Sequence, residues 1–209
     1  MSNIDVKRAI ETGDAEALRR LLSENCSRAN ELILWGVNGC VSTHPLHYIS
    51  DMLFEGTLAR GKELPLVDAL LEAGAEVDFR KNKGETALIG AASLGAENVG
   101  LRLLEAGGRP ELLGIFGETA LHWAAMLGEA RLVRRLIPGA DLNLRDAKYK
   151  SPPLGWAIHG WSNPPAGNCC GQREVTELLV TAGARVEPEW VERARSDLAM
   201  LAALQTVPR

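Results

Sequence analysis

The sequence has no stretch of apolar residues long enough to cross a bilayer, which takes about 18 in a row. Its first residues, MSNIDVKRAIETGD, are charged throughout and lack the apolar core that a secretory signal peptide needs. Aromatic residues make up only 5% of the chain and charged residues 24%, which is ordinary for a folded globular protein. We therefore expect a cytoplasmic protein with no membrane partner.

The chain also lacks an excess of positive charge. It has 23 Lys and Arg residues against 27 Asp and Glu residues, for a net charge of −4. A general nucleic-acid binder needs a cationic excess or a strong basic patch to attract phosphate groups. We therefore expect no nucleic-acid partner.

The usual motifs of catalysis and of cofactor binding are missing too. The chain contains no G-x-S-x-G, H-E-x-x-H, G-x-x-x-x-G-K-[ST] or G-x-G-x-x-G. Its four cysteines form no pair of C-x-x-C units, so structural zinc is not indicated. The neighbours Cys169 and Cys170 have Cα atoms about 3.8 Å apart, too close for an ordinary disulfide. We expect reduced thiols, no metal, no cofactor and no enzymatic activity.

The chain does contain an internal repeat. Leu88, Leu121 and Leu154 follow one another at intervals of 33 residues, and the sequence around them is alike. The phrases are ETALIGAASLG, ETALHWAAMLG and SPPLGWAIHG, and a fourth phrase, THPLHYIS, surrounds Leu46. Each is followed by an apolar run and a turn that contains glycine. A fixed period of this kind predicts a row of equivalent structural units.

Each unit has the features of two short helices. Thr86 and Thr119 can begin the first helix, because their hydroxyls accept hydrogen bonds from backbone N–H groups of the first turn. Pro153 suits the first helical position of its unit. Gly95 and Gly128 can end the first helix in the left-handed conformation. One such pair is too small to bury its apolar face alone, so neighbouring pairs must stack.

In its T-x-L-H phrase, its alanine pair, its turn glycine and its L-L-x-x-G-A ending, the sequence resembles an ankyrin repeat protein. The resemblance covers nearly the whole chain. It implies an all-α fold, an ankyrin-repeat solenoid of stacked helix-turn-helix units joined by β-hairpin-like fingers. It also implies structural hydrogen bonds, rather than metal binding, for His47 and His122 at the histidine position of the pattern.

On this basis we expect a monomer with one domain, residues 1–209. An N-terminal capping repeat comes first, and a C-terminal helical cap comes last. Four repeats lie between them, of which the first and the fourth carry inserted loops. The six segments, in order, are 3–36, 43–80, 84–114, 117–147, 151–186 and 187–206.

The two inserted loops each add about ten residues between the helices of their repeats, in segments 51–63 and 160–171. Such loops can be neutral, since lengthening a loop costs little entropy. They can also border a binding face. Trp161 lies in the second loop, where it packs either on its own repeat or on a partner.

The resemblance also implies a binding surface. In ankyrin repeats, the side chains just before the T-x-L-H phrase and at the end of the first helix face the groove. Carried over to this chain, with Trp161 added, these positions give the candidate protein-binding residues Lys83, Glu85, Leu94, Ile115, Phe116, Glu118, Met126, Leu127, Lys148, Tyr149, Ser151, His159 and Trp161.

This surface would have an apolar centre and positively charged edges. Exposed apolar area, aromatic residues and methionine are typical of interaction sites. The surrounding Lys and Arg residues would steer an acidic partner. In the alternative interpretation, Ile115 and Phe116 fold inward and the charges are only a solvated rim.

We therefore predict a non-enzymatic protein–protein interaction module that binds a folded, acidic protein partner through its concave groove and finger tips, as an adaptor or an inhibitor. The alternative is thiol chemistry in the 160–171 loop, either redox sensing or a thiol-dependent activity of Cys169 and Cys170 with His159. A reactive thiol needs a lowered pKa. A third hypothesis is a small-molecule site beneath Trp161.

Overall fold

A computed structural model of the chain describes residues 3–80, 84–164 and 171–206. Within these residues the chain forms 12 α-helices and one two-stranded sheet, so the predicted all-α class is confirmed. The chain divides into two compact units, Met1–Arg109 and Pro110–Arg209.

The first unit consists of three helix pairs that stack in layers. The first helix of each pair packs on the first helix of the next, and the second helices pack on one another in the same way. Ile10, Leu46 and Leu88 are fully buried along this stack. The six helices are α1 (Ile4–Thr12), α2 (Ala15–Glu24), α3 (Pro45–Phe54), α4 (Glu63–Glu72), α5 (Ala87–Ser93) and α6 (Glu97–Glu105).

A β-hairpin precedes α3 in the first unit. Strand β1 (Ile33–Trp35) pairs antiparallel with β2 (Val41–Thr43), and Ile33 lies opposite Thr43. The Trp35 indole N–H donates to the Thr43 hydroxyl at 2.9 Å, and its ring meets Tyr48 edge-on at 5.6 Å. The hairpin is therefore anchored on α3.

Within the second unit, the helices also pack in layers. Helix α7 packs on α9, α8 packs on α10, and the C-terminal α12 packs on α10. The six helices are α7 (Ala120–Leu127), α8 (Ala130–Leu136), α9 (Pro153–Ser162), α10 (Gly171–Thr181), α11 (Pro188–Arg193) and α12 (Leu198–Leu204).

The first helices of the repeats begin and end beside the capping residues that the sequence indicates. The Thr86 hydroxyl accepts a hydrogen bond from the Ile89 N–H at 3.2 Å, which caps α5. Helix α9 begins at Pro153. Gly95 and Gly128 follow the first helices of their repeats with φ of 71° and 75°, in the left-handed region.

His122 has the structural role that the resemblance implies. Its Nδ1 accepts a hydrogen bond from the Thr119 backbone N–H at 3.1 Å, and its Nε2 donates to the Leu144 carbonyl at 3.1 Å. Burial lowers the pKa of His122, against the opposite effect of the Leu144 carbonyl, so the neutral ring that these two bonds require is favoured. The imidazole thus links α7 to Leu144, in the segment between α8 and α9.

For His47 the same expectation is wrong. Within the described residues its ring nitrogens make no hydrogen bond, and the nearest charged group is Asp51, at 4.0 Å from Nε2. The ring lies across Gly90 of α5, where a Cβ atom would come within 2.1 Å of Nε2. The start of α3 does not need His47, because the preceding His44 caps the helix through its own Nδ1, which accepts from the Leu46 N–H.

Candidate functional site

Two consecutive fingers of the second unit form the core of the candidate surface. We call residues 112–118 the first finger and residues 144–151 the second finger. The Ala147 N–H of the second finger donates to the Phe116 carbonyl of the first at 2.6 Å. Gly117 has φ of 75°, and a Cβ atom there would lie 3.0 Å from Ala147, so only glycine allows this close contact. The two fingers therefore hold each other in place.

Glu118 stabilises the first finger from inside. Its side chain is fully buried. One carboxylate oxygen accepts from the Phe116 N–H at 2.8 Å and the other from the Trp123 indole N–H at 3.2 Å. Although Glu118 belongs to the predicted binding set, its carboxylate lies inside the finger and is not exposed to a partner.

Asp146 has the corresponding role in the second finger. Its carboxylate, on a residue only 1% exposed, accepts from the backbone N–H groups of Lys148, Tyr149 and Ser151 at 2.8, 2.5 and 3.1 Å. It also accepts from the Trp156 indole N–H at 3.1 Å. Burial alone would raise the pKa of Asp146, but these donors together hold it below its ordinary value. Sequence reasoning missed this residue.

The exposed part of the two fingers is apolar, aromatic and cationic. Ile115 and Tyr149 are 61% and 60% exposed. Phe116 is half-buried, and the Lys148 ammonium lies 4.2 Å from the centre of its ring and 5.0 Å from that of Tyr149. We call these four residues the finger patch. The structure thus brings together four residues of the predicted binding set and presents them to solvent.

The α7 end of the predicted surface is partly covered by the chain itself. The Gln172 side-chain N–H donates to the Met126 carbonyl at 3.1 Å. A Cβ atom on Gly160 would come within 2.0 Å of that same oxygen, so α9 approaches α7 at van der Waals contact. Met126 and Leu127 are consequently only half-exposed.

Trp161 packs on its own unit. Its indole N–H donates to the Asp197 carboxylate at 3.2 Å, and Asp197 also accepts from Arg173 at 2.8 Å. This contact ties the end of α9 to the C-terminal cap and leaves the ring half-buried. His159, two residues before Trp161 on α9, is exposed, and Ser151 at the base of the second finger is half-buried.

The remaining predicted residues are not part of the finger patch. Glu85 and Leu94 belong to the first unit and are half-buried. Lys83, Cys169 and Cys170 lie outside the described residues, so the thiol hypothesis stays a prediction.

The first unit has a separate group of titratable residues around Asp51. Burial, followed by the charges of Glu55 and Glu85, raises the pKa of Asp51 to about 7. Burial lowers the pKa of the adjacent His47 to about 4. Near neutral pH, His47 is therefore neutral and Asp51 is close to half-protonated.

No group of three or more His, Cys, Asp or Glu side chains in 3–80, 84–164 and 171–206 could hold a metal ion. In the same part of the chain, no helix has both the length and the apolar character needed to span a membrane.

Comparison with known proteins identifies the repeat. Residues 57–146 match the family model for ankyrin repeats, in three copies. This segment contains helices α4 to α8 and the whole first finger, and it ends at Asp146. A search of curated proteins found no match to the chain.

Proposed function

Since this chain is an ankyrin repeat protein, and ankyrin repeats are protein–protein interaction modules, we propose that it binds a folded, acidic protein through the finger patch. It acts without catalysis, as an adaptor or as an inhibitor that covers its partner. The single observation that supports this most strongly is the finger patch itself: two exposed side chains, a half-buried phenylalanine and a lysine on two hydrogen-bonded fingers.

The composition of the patch supports a protein partner. Aromatic residues are enriched at protein interfaces, and anchors on a rigid support contribute most of the binding energy. Ile115 and Tyr149 are 61% and 60% exposed, and covering their apolar surface with a partner would stabilise the complex. Lys148 supplies the positive charge that would attract an acidic surface.

We further propose that the protein acts in the cytoplasm as a monomer. The exposed cysteines of the described chain, Cys26 and Cys40, are both free thiols. Free exposed thiols persist in a reducing compartment.

The function can be tested by replacing both exposed anchors, Ile115→Asp with Tyr149→Asp. Full-length chain, wild type or variant, is immobilised and used to capture proteins from its native cell, and the captured proteins are quantified by mass spectrometry. We expect the variant to lose its specific partner by about 30-fold, which corresponds to about 2 kcal/mol for central anchors.

Leu198→Asp with Val37→Asp is the matched control. Leu198 and Val37 are 79% and 81% exposed, and together they receive the same two negative charges outside the fingers. Thermal unfolding establishes that each variant is folded. Equal capture by wild type and the double variant would show that the patch is not the binding surface.

A further inference from the structure

We infer that the finger patch recognises a carboxylate next to an apolar side chain on the partner, and that Lys148 binds the carboxylate. This inference rests on the proposed function and names the chemistry of its contact. Ile115 and Tyr149 then take the apolar side chain, and Lys148 determines specificity.

Within the described residues the Lys148 ammonium has aromatic rings as neighbours and forms no ion pair. The carboxylates of the two fingers, Glu118 and Asp146, are buried and already accept hydrogen bonds from the fingers. The adjacent Arg145 is paired with Glu187. The surface of the patch is therefore positive, and its charge is compensated by no acid of its own.

A lysine ammonium has three N–H donors. An aromatic face attracts the cation from one side and leaves the other side open to solvent. A carboxylate can therefore bind Lys148 while the contacts with Phe116 and Tyr149 are kept. The rings hold the flexible lysine in place beforehand, which reduces the entropy that binding would otherwise cost.

The backbone on both sides of Lys148 is fixed by hydrogen bonds. Asp146 accepts from three backbone N–H groups of the second finger, and Ala147 is hydrogen-bonded to the first. Lys150 has φ of 55°, unusual for a residue other than glycine, and its carbonyl accepts from Arg145 at 2.6 Å. The finger is thus held in one conformation before any partner arrives.

A carboxylate fits the patch better than the phosphates of a nucleic acid. Single-stranded nucleic acid is bound by stacking its bases on exposed aromatic faces in a positively charged groove. Here Phe116 is half-buried, and the Lys148 ammonium lies over its ring, 4.2 Å from the ring centre. The chain as a whole carries a net charge of −4. The observations therefore favour an acidic peptide segment.

The test uses a displayed library of random peptides, selected on the full-length protein. We expect enrichment of Asp or Glu beside an apolar residue. One selected peptide is then made with its carboxylate and with the corresponding amide. On wild type, the amide form should bind about 10-fold more weakly. On Lys148→Gln the two forms should bind equally, because the group that distinguishes them is gone.

Lys150→Gln is the matched control, since it removes a neighbouring exposed charge that has no ring contact. It should keep the preference for the carboxylate. The inference is overturned if the selected peptides are neutral, if Lys148→Gln keeps the preference, or if a single-stranded oligonucleotide displaces the peptide at comparable concentration. The full chain could also self-associate in a way that Lys148→Gln abolishes. That result would identify a second copy of the chain as the occupant of the patch and would overturn the inference.

The double variant Ile115→Asp with Tyr149→Asp distinguishes a failure of the proposed function from a failure of the role assigned to Lys148. If selected peptides bind this variant as they bind wild type, the proposed function is wrong, because the patch is not the binding surface. If the double variant loses the peptides but Lys148→Gln still prefers the carboxylate, only the assignment of Lys148 is wrong.

Discussion

Asp146→Ala should lower the free energy of unfolding of the second unit by about 3 kcal/mol. The substitution removes the acceptor of three backbone N–H groups and leaves the buried Trp156 indole N–H without a partner. Hydrogen bonds to a charged acceptor contribute more than neutral ones, and an unpaired buried donor carries a further cost. Urea unfolding followed by tryptophan fluorescence measures the effect.

Asp141→Ala is the control for this prediction. Asp141 is exposed, and its side chain accepts from a single backbone N–H, that of Asn143, at 3.0 Å. Its replacement should cost about 0.5 kcal/mol. A similar loss for both variants would show that the buried carboxylate has no special role in the second finger.

The contribution of Asp146 should also depend on pH. The pKa of the folded state lies below its ordinary value of 3.8. The carboxylate therefore stabilises the fold fully above that ordinary value, and the stabilisation is lost as the pH falls through the folded-state pKa. The difference between wild type and Asp146→Ala should shrink over this acidic range.

Gly160→Ala should destabilise the second unit by about 3 kcal/mol, at the upper end of the range for overpacking. The added methyl group would lie 2.0 Å from the Met126 carbonyl oxygen, which belongs to the backbone and cannot move aside like a side chain. Helix α9 would have to shift away from α7 and expose the buried Leu154 and Ala157. The same urea unfolding experiment measures the loss.

Ser162→Ala provides the comparison on the same helix. Ser162 is the exposed last residue of α9, and its replacement keeps Cβ and removes only the hydroxyl, so stability should change by less than about 0.5 kcal/mol. If Gly160→Ala is as stable as Ser162→Ala, then α9 does not contact α7 at the Met126 carbonyl, and the chain itself does not cover the C-terminal end of α7.

The sequence predicted those parts of the fold that depend on local chemistry. Thr86, Pro153 and Gly128 act through backbone groups within a few residues, so their types and spacing suffice to place the helix ends. His122 followed from the repeat pattern. The packing of His47 could not be predicted in this way, because it depends on Gly90, a residue of the next repeat that leaves room for the ring.

The candidate surface was predictable only in part. Exposure of Ile115 and Tyr149 agrees with the groove positions of the repeat pattern. The burial of Glu118 and the ring contacts of Lys148 arise from contacts across the fingers, which one sequence does not reveal. Asp146 did leave a signal: an aspartate two residues before Lys148 in a turn typically accepts from that backbone N–H.

The packing of the second inserted segment also depends on contacts between distant residues, which one sequence does not reveal. Counting residues predicted an extra loop at 160–171, but α9 continues to Ser162 and α10 begins at Gly171. The glycines at its ends, Gly160 and Gly171, allow contact with the end of α7. In the sequence, two glycines in a stretch rich in Pro and Asn indicate a flexible loop. Only the contacts of Gly160 with Met126 and of Gly171 with Gly128 show that these glycines permit close packing.

Amide hydrogen exchange of the full chain, with and without the tightest selected acidic peptide, tests the central claim most directly. We expect the peptide to slow exchange in residues 112–118 and 144–151, and we expect Ile115→Asp with Tyr149→Asp to abolish this protection. Protection confined to the 33–43 hairpin or to the second helices of the repeats, with the two fingers unchanged, would contradict it.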